Sequence, residues 1–155
     1  MTKQIKDQKG FPKVTCPCCG KDRDVVGGTP LLQLEDKLRQ ANLTPWWKTS
    51  EGWSVEEAQK GKLQWACRYC LKSERAIEAN PVVQKFCDYP PYLAYFDTKL
   101  RCEDCGSMFV FSAKEQQFWY ENLKFWVQSR PKQCLDCRRA RRERKREQNQ
   151  KGKVA

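Results

Sequence analysis

The chain has 155 residues, ten cysteines, no histidine, and 30 Lys+Arg against 19 Asp+Glu, a formal balance of +11. The missing histidine excludes a His general base, a Ser-His-Asp triad, a Cys-His dyad, His-ligated zinc fingers and H-E-x-x-H proteases. No run nears the ~20 apolar residues that cross a bilayer, and MTKQIKDQKGF lacks the apolar stretch of a secretory signal, so a cytoplasmic protein with no membrane partner is expected.

In chain order, residues 1–12 are polar and Lys-rich and read as a disordered lead. Val25, Val26, Gly27 and Gly28 suggest a short strand and a turn. Thr29-Pro30 is a helix start, and Leu31, Leu34, Leu38 and Ala41 recur at helical spacing until Asn42 to Pro45. Trp46, Trp47 and Trp53 follow in a loop. Ser54-Val55-Glu56-Glu57 has the form of a capping box, opening a short helix that Gly61 closes. Leu71 to Ala79 is expected to be helical, stopped by Asn80-Pro81. Tyr89-Pro90-Pro91-Tyr92 is expected to be extended. Met108-Phe109-Val110-Phe111 predicts a strand, and Ser112-Ala113-Lys114-Glu115 a second capping box with a helix to about Leu123. Phe125-Trp126-Val127 predicts a returning strand before Arg130-Pro131.

Eight cysteines form four C-x-x-C pairs: Cys16/Cys19, Cys67/Cys70, Cys102/Cys105 and Cys134/Cys137. They come in two sets. Each opens with C-x-x-C-G, ending at Gly20 or Gly106, and closes with a C-x-x-C that lacks the glycine. Two cysteines three positions apart can fold around one metal as a knuckle, and a following glycine takes positive φ at little cost. Four thiolates make a closed, structural zinc site. In a reducing compartment ten cysteines point to metal rather than disulfides. A redox dithiol would need a βαβ context that is absent here. Two zinc ions are therefore expected, with loops of 47 and 28 residues between the pairs. Shorter loops cost less entropy, which favours pairing in sequence order over an interleaved arrangement, though both stay open. Cys18 is an alternative to Cys16 or Cys19, and Cys87 is expected to be a small buried hydrophobe.

Counting zinc moves the charge. Nine Lys+Arg and two Asp+Glu fall in residues 138–155, a balance of +7, which leaves +4 for residues 1–137. Each zinc with four thiolates carries net −2, so two of them bring the body near zero. The net charge then lies in RRARRERKREQNQKGKVA. Seven of the nine residues from Arg138 to Arg146 are basic: Arg138, Arg139, Arg141, Arg142, Arg144, Lys145 and Arg146.

Leu100-Arg101-Cys102-Glu103-Asp104-Cys105-Gly106 with Phe109-Val110-Phe111, Glu115-Gln116-Gln117-Phe118 and Pro131-Lys132-Gln133-Cys134-Leu135-Asp136-Cys137-Arg138 resembles a family of small bacterial proteins described as a probable zinc-ribbon domain. The resemblance covers about residues 92–142. It implies zinc at Cys102, Cys105, Cys134 and Cys137 and implies little about activity.

The expected fold is small α+β: two tandem zinc ribbons with short strands, inserted helices and a basic C-terminal helix or tail. The boundaries read as a zinc-binding unit at 13–80, a linker at 81–99, a C-terminal ribbon at 100–137 and a tail at 138–155. Units this small rarely fold on an apolar core alone, so zinc is expected to be needed for folding. Three functions follow. The tail suits a nucleic acid or the ribosome. Trp46-Trp47 and the Tyr/Pro-rich segment at 89–96 suit a protein partner. The vicinal Cys18-Cys19 and the spare Cys87 suit a thiol switch. Closed sites and scattered acidic residues argue against an enzyme.

Overall fold

A computed structural model describes residues 11–26, 30–48 and 50–154. Residues 1–10 of the expected disordered lead at 1–12, the Gly27-Gly28 turn and the Thr29 cap lie outside the described residues. The chain divides into two compact units: residues 1–97 with 112–129, and residues 98–111 with 130–155.

The larger unit begins with β1 (Lys13–Thr15) and β2 (Asp22–Asp24), antiparallel with Val14 opposite Arg23. The strand expected at Val25–Val26 ends earlier, because β2 runs straight out of the cysteine turn; Val25 is buried and its N–H bonds to the Pro12 carbonyl at 2.8 Å. Helix α1 (Pro30–Gln40) buries Leu31, Leu34 and Leu38, the expected apolar stripe. Asn42, at φ 58°, takes the left-handed position that ends a helix.

Helix α2 (Trp53–Gln59) is not opened by the expected capping box. Ser54 is fully buried and donates to Glu35 Oε2 at 2.8 Å. Glu35 of α1 also accepts from the Gly52 N–H at 2.9 Å. A carboxylate from a neighbouring helix thus accepts from the N-cap N–H, the bond that the glutamate of a capping box makes locally. Glu57 is buried instead against Lys48 Nζ at 2.7 Å. Gly61 closes the helix at φ 72°, as its position predicts.

The helix expected over Leu71–Ala79 is split. Helix α3 is Arg68–Lys72, and β3 (Ala76–Glu78) pairs antiparallel with β4 (Ala94–Phe96), Ile77 opposite Tyr95. Glu74, at φ 62°, breaks the helix between them. The segment read as a linker is therefore part of the larger unit's core: Pro81, Pro91, Leu93, Ala94 and Tyr95 are buried.

Helix α4 (Ala113–Gln117) has the expected cap, with Ser112 Oγ accepting from the Glu115 N–H at 3.2 Å. It continues as a π-helical turn, Phe118–Asn122, which carries Tyr120 against Tyr92 and Tyr95, ring centroids 4.7 and 6.2 Å away. The returning strand expected at Phe125–Val127 is only a single bridge, Trp126 to Lys85, with the Val127 N–H on the Lys85 carbonyl.

The smaller unit holds β5 (Thr98–Arg101) and β6 (Met108–Phe111), antiparallel with Arg101 opposite Met108, and α5 (Leu135–Val154). Among its described residues only Cys102, Phe111 and Pro131 are buried.

Candidate metal centres

Both units build the same site from the same local bonds. In the first, the β1–β2 hairpin ends in a turn where the Cys16 N–H donates to the Lys21 carbonyl at 2.9 Å and the Gly20 N–H to the Cys16 carbonyl at 2.7 Å. In the second, the β5–β6 turn repeats them: Cys102 N–H to Ser107 carbonyl at 2.8 Å, Gly106 N–H to Cys102 carbonyl at 3.0 Å. Gly20 and Gly106 both sit at φ 75°, a conformation that a Cβ would strain.

The second pair of each set is not the knuckle that was expected. Cys67 caps α3 and Cys70 lies within it, joined by the Leu71 N–H to Cys67 carbonyl bond at 3.1 Å. Cys134 and Cys137 occupy the start of α5, with the Arg138 N–H on the Cys134 carbonyl at 3.0 Å. The reason is in the next residue. Leu71 and Arg138 stand where Gly20 and Gly106 stand, and without glycine the backbone continues in the helical region.

The pairs meet in sequence order. Cys16, Cys19, Cys67 and Cys70 bring their sulfurs within 4.8 Å of one another, and so do Cys102, Cys105, Cys134 and Cys137. Individual Sγ–Sγ distances are 4.0 Å for Cys16–Cys70, 3.9 Å for Cys19–Cys67, 3.6 Å for Cys67–Cys70 and 3.8 Å for Cys105–Cys134. A tetrahedron of sulfurs about 2.3 Å from zinc has edges of about 3.8 Å. A disulfide needs about 2.05 Å. All ten cysteines are free. The spacing is that of zinc ligands, and each set fits one zinc ion with every coordination position filled.

The electrostatics agree. The Lys21 N–H holds the Cys19 thiol down to about 6, and the Cys105 N–H does the same for Cys102. Burial, with the neighbouring sulfurs, pushes Cys70 well up; the sulfurs of Cys134, Cys102 and Cys105 push up Cys137. Four clustered thiols cannot all ionise alone, and a divalent cation removes that conflict. At the first site the Arg23 guanidinium lies beside the Cys19 and Cys67 sulfurs and 4.4 Å over the Tyr69 ring, where it offsets the excess negative charge.

These shifts set a direction with pH. A thiol lowered by the fold favours the assembled site above its ordinary pKa of about 9, and that contribution is lost as pH falls through the lowered value near 6. Bound zinc holds its thiolates deprotonated further still, so both ions should be retained at pH 7.5 and released with proton uptake on strong acidification, which a chromophoric zinc indicator would follow. Zinc release that did not depend on pH would contradict thiolate ligation.

The two spare cysteines stand apart. Cys18 is half-buried, outside the four-sulfur set, with its thiol 4.0 Å from the Arg75 carbonyl. Cys87 is exposed rather than buried, and its carbonyl accepts from Trp47 Nε1 at 2.9 Å. The tail residues named from the sequence lie on α5, where Arg138 is half-buried and Arg139, Arg141, Arg142, Arg144, Lys145 and Arg146 are exposed.

Residues 96–146 match a family described as a probable treble clef domain. Comparison with curated proteins and with solved structures returns no match. The matched segment contains the whole second cysteine set, and a hairpin turn facing the first turn of a helix is the arrangement found there. With two four-cysteine sites and this match, the chain is a zinc-binding protein. No described helix is long and apolar enough to cross a membrane.

Proposed function

We propose that the zinc sites are structural and that the chain binds nucleic acid, RNA or DNA, free or in the ribosome, through α5. The carrying observation is a 20-residue helix, held at its first turn by the second zinc site, whose residues from Arg139 to Lys153 are all exposed. Among the described residues, none of the seven bases from Arg138 to Arg146 is in an ion pair. Ala140 is the only apolar residue in that stretch, which therefore carries no apolar face. An isolated helix of this length is marginal in water, and a polyanion both stabilises it and releases counterions. Four thiolates per ion leave no open position for a substrate, which supports binding rather than catalysis. Cysteines held as zinc ligands rather than in disulfides support a reducing, cytoplasmic setting.

The test is to remove residues 138–155, keeping Cys137, and compare zinc-loaded proteins. The full chain should bind a nucleic acid with a slope of about −4.5 in log K against log salt if about five phosphates of a duplex are contacted. The truncated chain should lose most of that affinity and slope while retaining two zinc ions. Equal binding by both forms would remove α5 from the reading.

A second reading, a protein adaptor, keeps part of its surface. Trp46 is 74% exposed and Tyr89 56%, whereas Tyr95 and Leu93, from the same Tyr/Pro-rich segment, are buried. Double substitution of Trp46 and Tyr89 by Ala should leave nucleic-acid binding unchanged if α5 is the site of contact.

A further inference from the structure

Resting on the nucleic-acid reading above, we propose that α5 engages duplex DNA through one face, lying in the major groove. Successive helix residues are turned by about 100°, which fixes where each side chain emerges. On that count Arg141, Lys145, Arg138, Arg142, Lys153, Arg146 and Arg139 fall within one arc of about 160° that contains no acid. Asp136, Glu143 and Glu147 fall together in a strip about 40° wide outside it. Arg144 and Lys151 lie beyond that strip on the back of the helix. Seven of the nine bases in 138–153 therefore share a face, and every acid of the helix is kept off it.

The width of the arc selects the ligand. A flat anionic surface needs only a narrow row of bases. A groove has a wall on each side, each carrying phosphates, so cations are needed on both flanks of the helix. Arg139 and Arg146 supply one flank and Arg141 the other. Between them run Arg142 and Lys145, long polar side chains able to reach base edges, and the shorter amide of Asn149. Arg138 is half-buried at the zinc site and belongs to the anchor.

The dimensions agree as well. A helix with side chains is about 10–12 Å across, and the major groove of DNA is about 12 Å wide. From Arg138 to Lys153 the helix rises about 22 Å, the length of about six base pairs. The major groove of duplex RNA is too narrow and deep to be read by side chains in this way. A membrane surface is a poor fit because the helix opposes no apolar face to its basic one.

The test uses the zinc-loaded full chain and fluorescence anisotropy with a 20-base-pair DNA duplex, the RNA duplex of the same sequence, and the single DNA strand. Two double variants change net charge equally: Arg142→Glu with Lys145→Glu on the arc, and Arg144→Glu with Lys151→Glu off it. Zinc content and helical circular dichroism are checked for both. The expected result is DNA duplex binding at least about tenfold tighter than RNA duplex or single strand. The on-arc pair should weaken it by roughly a hundredfold and flatten the salt slope by about 2, while the off-arc pair weakens it less than about tenfold with the slope kept. Equal losses from both pairs would overturn the oriented face, and equal or tighter binding of RNA duplex or single strand would overturn the groove. In either case nucleic-acid binding itself would stand. No binding of any of the three probes would remove both this inference and the reading it rests on.

Discussion

Cys102→Ser should release one of the two zinc ions and unfold the smaller unit while the larger unit keeps its fold and its metal. Magnitudes decide this. Among the described residues of the smaller unit Phe111 is the only large apolar side chain that is buried, and burial of one such side chain contributes about 1.5–3 kcal/mol. A structural four-ligand zinc site supplies on the order of 10 kcal/mol or more of folding free energy. Without its metal the β5–β6 hairpin has nothing comparable to hold it. The larger unit has an apolar cluster running from Val14 through Leu31, Leu34, Leu38, Trp53 and Trp65 to Ala94. Native mass spectrometry should read one zinc, and hydrogen exchange should show protection lost over 98–111 and at the start of α5. Residues 112–129, which belong to the larger unit despite lying between the two halves of the smaller one, should stay protected. Loss of both ions from this one change would mean that the two sites fold as a single cooperative element.

The cysteine spacing made both metal centres readable before any fold was known, because each pair is a local device whose geometry is set within five residues. It left the backbone around the closing pairs undetermined. The clue was present: glycine follows Cys19 and Cys105 but not Cys70 or Cys137, and only the first two turns need a positive φ. Helix α1 was legible from its leucines. The cap of α2 was not, because its acceptor, Glu35, is 17 residues upstream of the Gly52 N–H that it serves. The splitting of Leu71–Ala79 was hidden for a similar reason. A three-residue strand carries no periodicity, and β3 exists only because residues 94–96 pair with it. Short elements in a zinc-held fold are decided by partners distant in sequence, while the ligand pairs that pin them are decided locally.

The segment between the two cysteine sets gives the sharpest contrast between composition and position. Its Tyr/Pro content reads as a linker, yet Tyr95 is fully buried and Tyr89, six residues earlier, is exposed. The Tyr95 ring lies 5.9 Å from Tyr92 and 6.2 Å from Tyr120, and its hydroxyl donates to Glu121 Oε1 at 3.2 Å. Burial pushes this phenol up, so it stays a neutral donor at physiological pH. Tyr95→Ala should destabilise the larger unit by about 3–5 kcal/mol, through lost transfer free energy and the cavity left among the rings. Tyr95→Phe should cost only about 1 kcal/mol. Glu121 Oε1 keeps the Asn80 N–H at 2.6 Å, so its carboxylate is not stranded. Tyr89→Ala should stay within about 0.5 kcal/mol of the parent. Urea unfolding of zinc-saturated protein, followed by tryptophan fluorescence, would rank the three. If Tyr95→Ala and Tyr89→Ala shifted the midpoint alike, the segment would be a tether after all, and the β3–β4 pairing would lose its role in the core.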